Sequence, residues 1–166
     1  MMVNLIQQMT NALIQIVLFM LLPFIWWFVT ARRKSSFLDW IGFMPLKDTG
    51  KHKMWLWIFL GLLSFTIFSY LVLYTIVKDL KTATSSFSGL GFQALPAVLI
   101  YSLFQTSLPE ELLFRGFLLK RFSVCLSSGI ANTIQAALFG LLHGLMFITE
   151  VSWLQTLVII LCTGGI

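Results

Sequence analysis

From Asn11 to Thr30 the chain is apolar and carries no charged side chain, and Arg32-Arg33-Lys34 ends the run at once. A helix needs about 20 predominantly apolar residues to cross the hydrocarbon core of a bilayer, so this stretch alone meets the requirement. The pattern returns downstream. Met54 to Val77 is uncharged and closes on Lys78-Asp79; Phe92 to Leu108 is uncharged and continues through Pro109-Glu110-Glu111 towards Lys120-Arg121. Val124 to Ile148 is uncharged and contains His143, and Val151 to Ile166 is apolar. These runs predict an all-α, polytopic transmembrane helix bundle with four full spans and a partial fifth. Pro23 falls inside the first run, where neighbouring helices can satisfy the backbone group that a proline frees.

Composition agrees. The chain is 58% hydrophobic and 10% charged, against roughly 25% charged in soluble domains, which leaves too little polar surface to cover a water-soluble globule. Six of the eleven basic residues lie between Arg32 and Lys53: Arg32, Arg33, Lys34, Lys47, Lys51 and Lys53. Set between two apolar runs, this cluster is a topological signal, and no nucleic-acid partner is expected. The excess of Lys and Arg in cytoplasmic loops places loop 31–53, with turn residues Gly42, Pro45 and Gly50, in the cytoplasm. It puts the N-terminus and the polar connector 78–91 outside, and Lys120 and Arg121 return to the cytoplasmic side. Trp26 and Trp27 stand near the basic end of the first run, as interfacial anchors do. The N-terminus has no basic n-region and no small-residue cleavage pattern, so the first segment is expected to stay as a span. Cys125 and Cys162 lie in apolar surroundings without metal-like spacing and read as inert packing residues.

Six acidic residues exist. Asp39, Asp48 and Asp79 read as loop residues, and Glu150 marks the end of the fourth run. Glu110, Glu111 and Arg115 remain on the third span, with His143 on the fourth. A charge near the bilayer centre costs about 2.5–3.5 kcal/mol on insertion scales, so such residues ask for a reason. Glu111 and Arg115 are i, i+4 and share a helix face; a structural ion pair is the plain reading. Glu110 points about 100° away and remains free for another neighbour. Pro109 lacks an N–H and leaves a carbonyl one turn earlier without its helical partner. On the fourth span Phe139 and His143 are i, i+4, flanked by Gly140 and Gly144 in a G-x-x-x-G arrangement with Ala136 one turn before. Small residues at that spacing admit a close helix, which offers a way to bring His143 against the Glu110 region. Adjacent carboxylates with a histidine suit water activation, with or without a metal. No H-E-x-x-H, glycine-framed serine, paired intramembrane aspartates or phosphate loop is present.

These residues carry a resemblance. Glu110-Glu111-Leu-Leu-Phe-Arg115 matches E-E-x-x-x-R, continued by Gly116, and Phe139-Gly-Leu-Leu-His143 matches F-x-x-x-H on the next helix. Together, in this order, they resemble the CPBP family of intramembrane proteases (CAAX-processing and bacteriocin-processing, or Abi). The resemblance covers 92–166 as a CPBP-type protease core; 1–91 shares only hydrophobic spans and forms an N-terminal transmembrane region with the basic cytoplasmic loop. It implies an integral protein of a bacterial plasma membrane that hydrolyses peptide bonds of membrane-associated peptide or protein substrates. Glu110 would activate water, His143 would bind or position it, and Glu111 and Arg115 would orient the site. A zinc ion, with Glu110 and His143 among its ligands, is the cofactor this implies. The family also has a later histidine followed four residues on by Asn or Asp, whereas this chain has no histidine after His143. Truncation is the simplest reading; a non-catalytic member, acting in bacteriocin self-immunity or as a scaffold, is the alternative.

Overall fold

The computed structural model describes residues 5–43, 51–75 and 83–165. Among them every regular element is helical. The chain divides into two compact units, one made of Met1–Phe43 with Thr82–Ile166, the other of Met44–Lys81.

In the first unit, α1 (Leu5–Thr30) takes up the first apolar run, with Pro23 fully buried inside it. A short helix, α2 (Phe37–Ile41), follows. Ser36 caps it by accepting from the Asp39 N–H, and Gly42 closes it in the left-handed region at φ 99°. The loop reading of 31–43 is therefore corrected: Ser36-x-x-Asp39 is a capping pair, and Asp39 is a first-turn residue that accepts from the Ser36 hydroxyl at 2.6 Å. Gly42 is the turn residue expected; Pro45, Lys47, Asp48 and Gly50 lie outside the described residues.

After short 3₁₀ turns at Ala83–Phe87 and Gly91–Ala94, a single helical path, α4, runs from 95 to 125. Residues 78–82 of the expected 78–91 connector, including Lys78, Asp79 and Lys81, lie outside the described residues. In α4, ordinary turns alternate with two wide stretches, Ile100–Ser107 and Leu112–Leu119, in which bonds run i to i−5. The Leu108 N–H bonds the Leu103 carbonyl in this way. Pro109 accounts for the first wide stretch, because its ring would strike the carbonyl four residues back in a regular α-helix.

The apolar run expected from Val124 to Ile148 is cut differently. Val124 and Cys125 finish α4, Leu126 is extended at φ −126°, ψ 157°, and α5 begins at Ser128 and ends at Phe147. Cys125 is exposed there rather than packed. The last helix, α6 (Trp153–Gly164), opens on a capping box between Ser152 and Gln155. In the second unit, α3 (Lys51–Thr75) is one helix; Val77, the expected end of that span, lies outside the described residues.

Two of these helices, α1 and α5, are long and apolar enough to cross a membrane; Met54–Phe68 and Trp153–Gly164 are shorter apolar stretches. Large apolar side chains face outward along α1 and α5, among them Leu13, Val17, Leu18, Leu142 and Leu145. Hydroxyl groups on the apolar helices turn back on their own backbone. Thr10, Thr30, Thr66, Thr133 and Thr163 each donate to the carbonyl four residues earlier, at 2.7–3.0 Å. Outward apolar side chains with internally satisfied hydroxyls are what a hydrocarbon solvent demands.

An aromatic cluster ties α1, α2 and α4 together at one end. Phe37 packs on Phe24 at 5.4 Å and on Trp27 at 5.5 Å, and Phe117 of α4 lies 5.9 Å from both Trp26 and Trp40. Trp27 also donates its indole N–H to the Ser35 carbonyl at 3.0 Å. Gly116 lets α2 approach, since a Cβ there would sit 2.9 Å from Ile41 Cγ1 and 3.0 Å from the Ile41 carbonyl. The two basic clusters, Arg32–Lys34 and Lys120–Arg121, thus come to the same end of this unit.

Candidate functional site

All four charged or titratable candidates lie on α4 and α5. Glu111 and Arg115 pair as the i, i+4 spacing predicts, Arg115 Nη1 to Glu111 Oε1 at 3.2 Å, with both side chains about half exposed. Glu110 is half-buried and turned to another side, as its position one residue earlier requires. It lies close enough to His143 of α5 and to the Tyr101 hydroxyl for their charges to interact. Glu110 and His143 thus stand on neighbouring helices within electrostatic range of each other, while Glu111 is paired with Arg115.

The device that joins the two helices is aromatic. Phe114, one turn after Glu110 and buried, meets Phe139 of α5 edge-on at 4.9 Å. Phe139 in turn covers the His143 ring, with centroids 4.3 Å apart. The Phe of F-x-x-x-H thus fixes the imidazole on one side and seats on the carboxylate-bearing helix on the other. His143 Nδ1 lies 3.0 Å from the Phe139 carbonyl. A carbonyl oxygen can only accept, so Nδ1 carries the proton, and in the neutral ring Nε2 keeps its lone pair for a donor or a metal.

The glycine pair does not face α4. A Cβ on Gly140 would strike the Ile160 carbonyl of α6 and come within 3.1 Å of Gly164, and a Cβ on Gly144 would strike the Ile160 side chain. A Cβ on Gly164 would lie 2.7 Å from the Ala136 carbonyl. Close approach at Ala136, Gly140 and Gly144 is as expected, but the partner is α6, and His143 reaches the Glu110 region through rings instead.

Two further residues, Tyr101 and Phe114, belong to this environment and are not marked by any motif. They have no spacing signal beyond being aromatic on the same helix. Gln105, in the wide turn before Pro109, buries a side-chain oxygen without a hydrogen-bond partner. Its amide inside an apolar run is a cue of the same kind as Glu110.

A resident zinc ion is tested by the donors present. Catalytic zinc takes three protein ligands and one open position. Among the described residues no three His, Cys, Asp or Glu side chains gather in one place. Glu110 and His143 supply two donors, and Glu111 is engaged by Arg115. The described residues do not make a complete zinc site.

No curated protein and no solved structure matches the chain. A family model does, and it spans both motifs: residues 92–166 match the type II CAAX prenyl endopeptidase Rce1-like family, in agreement with the CPBP resemblance.

Proposed function

We propose that this chain is an intramembrane endopeptidase of the CAAX-processing type, with Glu110 as the general base. The observation that carries the reading is the Phe114–Phe139–His143 ring contact, which seats the histidine helix α5 on α4 one turn from the half-buried Glu110. In this reading the Glu110 carboxylate takes a proton from water as the water oxygen adds to a peptide carbonyl. His143 Nε2 accepts a hydrogen bond that orients the same water. As the C–N bond breaks, the proton held by Glu110 passes to the leaving amine. The Glu111–Arg115 pair holds the α4 face in register and keeps Glu111 from competing for that proton.

The substrate is a prenylated or otherwise membrane-embedded peptide, reached from within a bacterial plasma membrane by a bundle of four spans and a partial fifth. Loop 31–53 lies on the cytoplasmic side. A metal at Glu110 and His143 would need ligands from outside the described residues, and a downstream H-x-x-x-N or H-x-x-x-D is the natural source. Reading the coding sequence past Ile166 tests this point.

The decisive experiment is cleavage of a fluorogenic prenylated peptide by the reconstituted protein. Glu110→Gln is expected to lower kcat about 100-fold or more, and His143→Ala to do the same, each with helix content unchanged. Cleavage that survives both substitutions sinks the site. A wild-type protein that binds the peptide without cutting it replaces the enzyme with the non-catalytic reading, an immunity or scaffold protein of the same family.

A further inference from the structure

At the end where α1, α2 and α4 meet, five cations gather: Arg32, Arg33 and Lys34 after α1, and Lys120 and Arg121 near the end of α4. Among the described residues none of the five pairs with a carboxylate; the ion pair there is Glu111–Arg115, elsewhere on α4. Three of them are instead set against aromatic rings or backbone. The Arg121 guanidinium carbon lies 4.6 Å from the centre of the Trp40 ring, and that of Arg32 lies 4.3 Å from the Phe28 ring. Lys120 Nζ donates to the Trp40 carbonyl at 3.2 Å. Arg121 Nε is buried and has no hydrogen-bond partner.

We propose that Arg121 and Lys120, with Trp40 as their platform, form a binding niche for the phosphate of an anionic phospholipid. A guanidinium stacked on an indole keeps its in-plane N–H edge for an acceptor, and that fork fits a phosphate. Lys120 adds a second charge and is anchored by the backbone of the same Trp40. The surroundings choose the source of the phosphate. Trp26, Trp27 and Trp40 stand at this end with the basic residues, which is the composition of a membrane interface at headgroup depth. The inference rests on the membrane-spanning reading and not on proteolysis.

The test reconstitutes the full chain in nanodiscs of mixed phosphatidylcholine and phosphatidylglycerol, releases it, and counts retained lipids by native mass spectrometry. The wild type is expected to retain phosphatidylglycerol in preference. Arg121→Gln and Lys120→Gln are each expected to lower that retention about fivefold. Trp40→Leu, which keeps both charges and removes the platform, lowers it as well. Arg33→Gln, an exposed cation at the same end, leaves it unchanged; circular dichroism checks that all four variants stay folded. Retention in Arg121→Gln equal to wild type overturns the niche, as does an equal loss in Arg33→Gln, which means diffuse charge attraction. A second arm titrates inorganic phosphate into phosphatidylcholine nanodiscs. A change in tryptophan emission that disappears in Trp40→Leu assigns the site to free phosphate and overturns the lipid. No step measures cleavage, so this inference and the protease reading fail independently.

Discussion

The two sides of α5 meet their neighbours in opposite ways. Towards α6, Ala136, Gly140 and Gly144 bring backbone against backbone, so close that a single added Cβ at Gly140 would collide with the Ile160 carbonyl. Towards α4, Phe139 holds the helices apart by a ring, meeting Phe114 edge-on at 4.9 Å. Helices in lipid associate by van der Waals packing rather than by a hydrophobic drive, and the small-residue side uses that fully. On the other side the contact is made by rings, Phe114 on Phe139, along the face that carries His143. One helix thus packs backbone to backbone on one side and, in the proposed reading, carries the working face on the other.

The closed side is the easier to break. Gly140→Leu is expected to destabilise the protein by about 3 kcal/mol or more, since overpacking against backbone has no soft neighbour to yield. Detergent-titrated unfolding followed by circular dichroism measures it. A loss below about 1 kcal/mol would mean that α5 and α6 can slide apart, and the contrast between the two sides falls. On the working side, Phe139→Ala is expected to act on chemistry more than on stability. The half-buried ring stabilises little, but His143 loses its cover and its seat on Phe114. A misplaced group of this kind costs about tenfold to 100-fold in kcat, read from prenylated-peptide cleavage with the unfolding midpoint measured in parallel. Phe139→Leu restores bulk without the edge-on contact and should fall between the two.

How much of this could be read from residues alone differs between the sides. Long uncharged runs specified α1 and α5 because hydrocarbon tolerates little else, and the Glu111–Arg115 pair followed from i, i+4 spacing. Gly140 and Gly144 announced a close contact but could not say with which helix, because spacing encodes distance of approach and not the partner. The boundary at Leu126 was hidden inside an apolar stretch, although Ser127-Ser128-Gly129 carries helix-start residues. Pro109 signalled a disturbed turn, but a kink and a wide turn answer the same missing N–H. The Phe114–Phe139 contact was invisible, since neither residue differs from the many other phenylalanines until the helices are placed.

A smaller effect is expected where α2 leans on α4. Gly116→Ala puts a methyl 2.9 Å from Ile41 Cγ1 and 3.0 Å from the Ile41 carbonyl. The backbone oxygen cannot rotate away, so α2 must shift, at a cost of about 1 kcal/mol. Trp40 moves with it, and its emission spectrum reports the shift. An unchanged spectrum with unchanged stability would mean that α2 rests loosely and that Gly116 is not selected by this contact.

The smallest effect on stability belongs to the ion pair, and it tells what the working face touches. Arg115 and Glu111 are 53% and 52% exposed. If that exposure is to water, a double-mutant cycle with Glu111→Gln and Arg115→Gln gives a coupling of about 0.2–1 kcal/mol in unfolding. If it is to lipid, removing one partner strands a charge in a medium of low dielectric, and the single variants each lose about 3–5 kcal/mol. A wet working face therefore predicts small stability coupling. If the pair orients Glu110, the same cycle run on kcat/KM gives the larger number of the two. Equal small couplings in both would reduce the pair to a surface contact, leaving Glu110, His143 and the two rings as the whole of the working face.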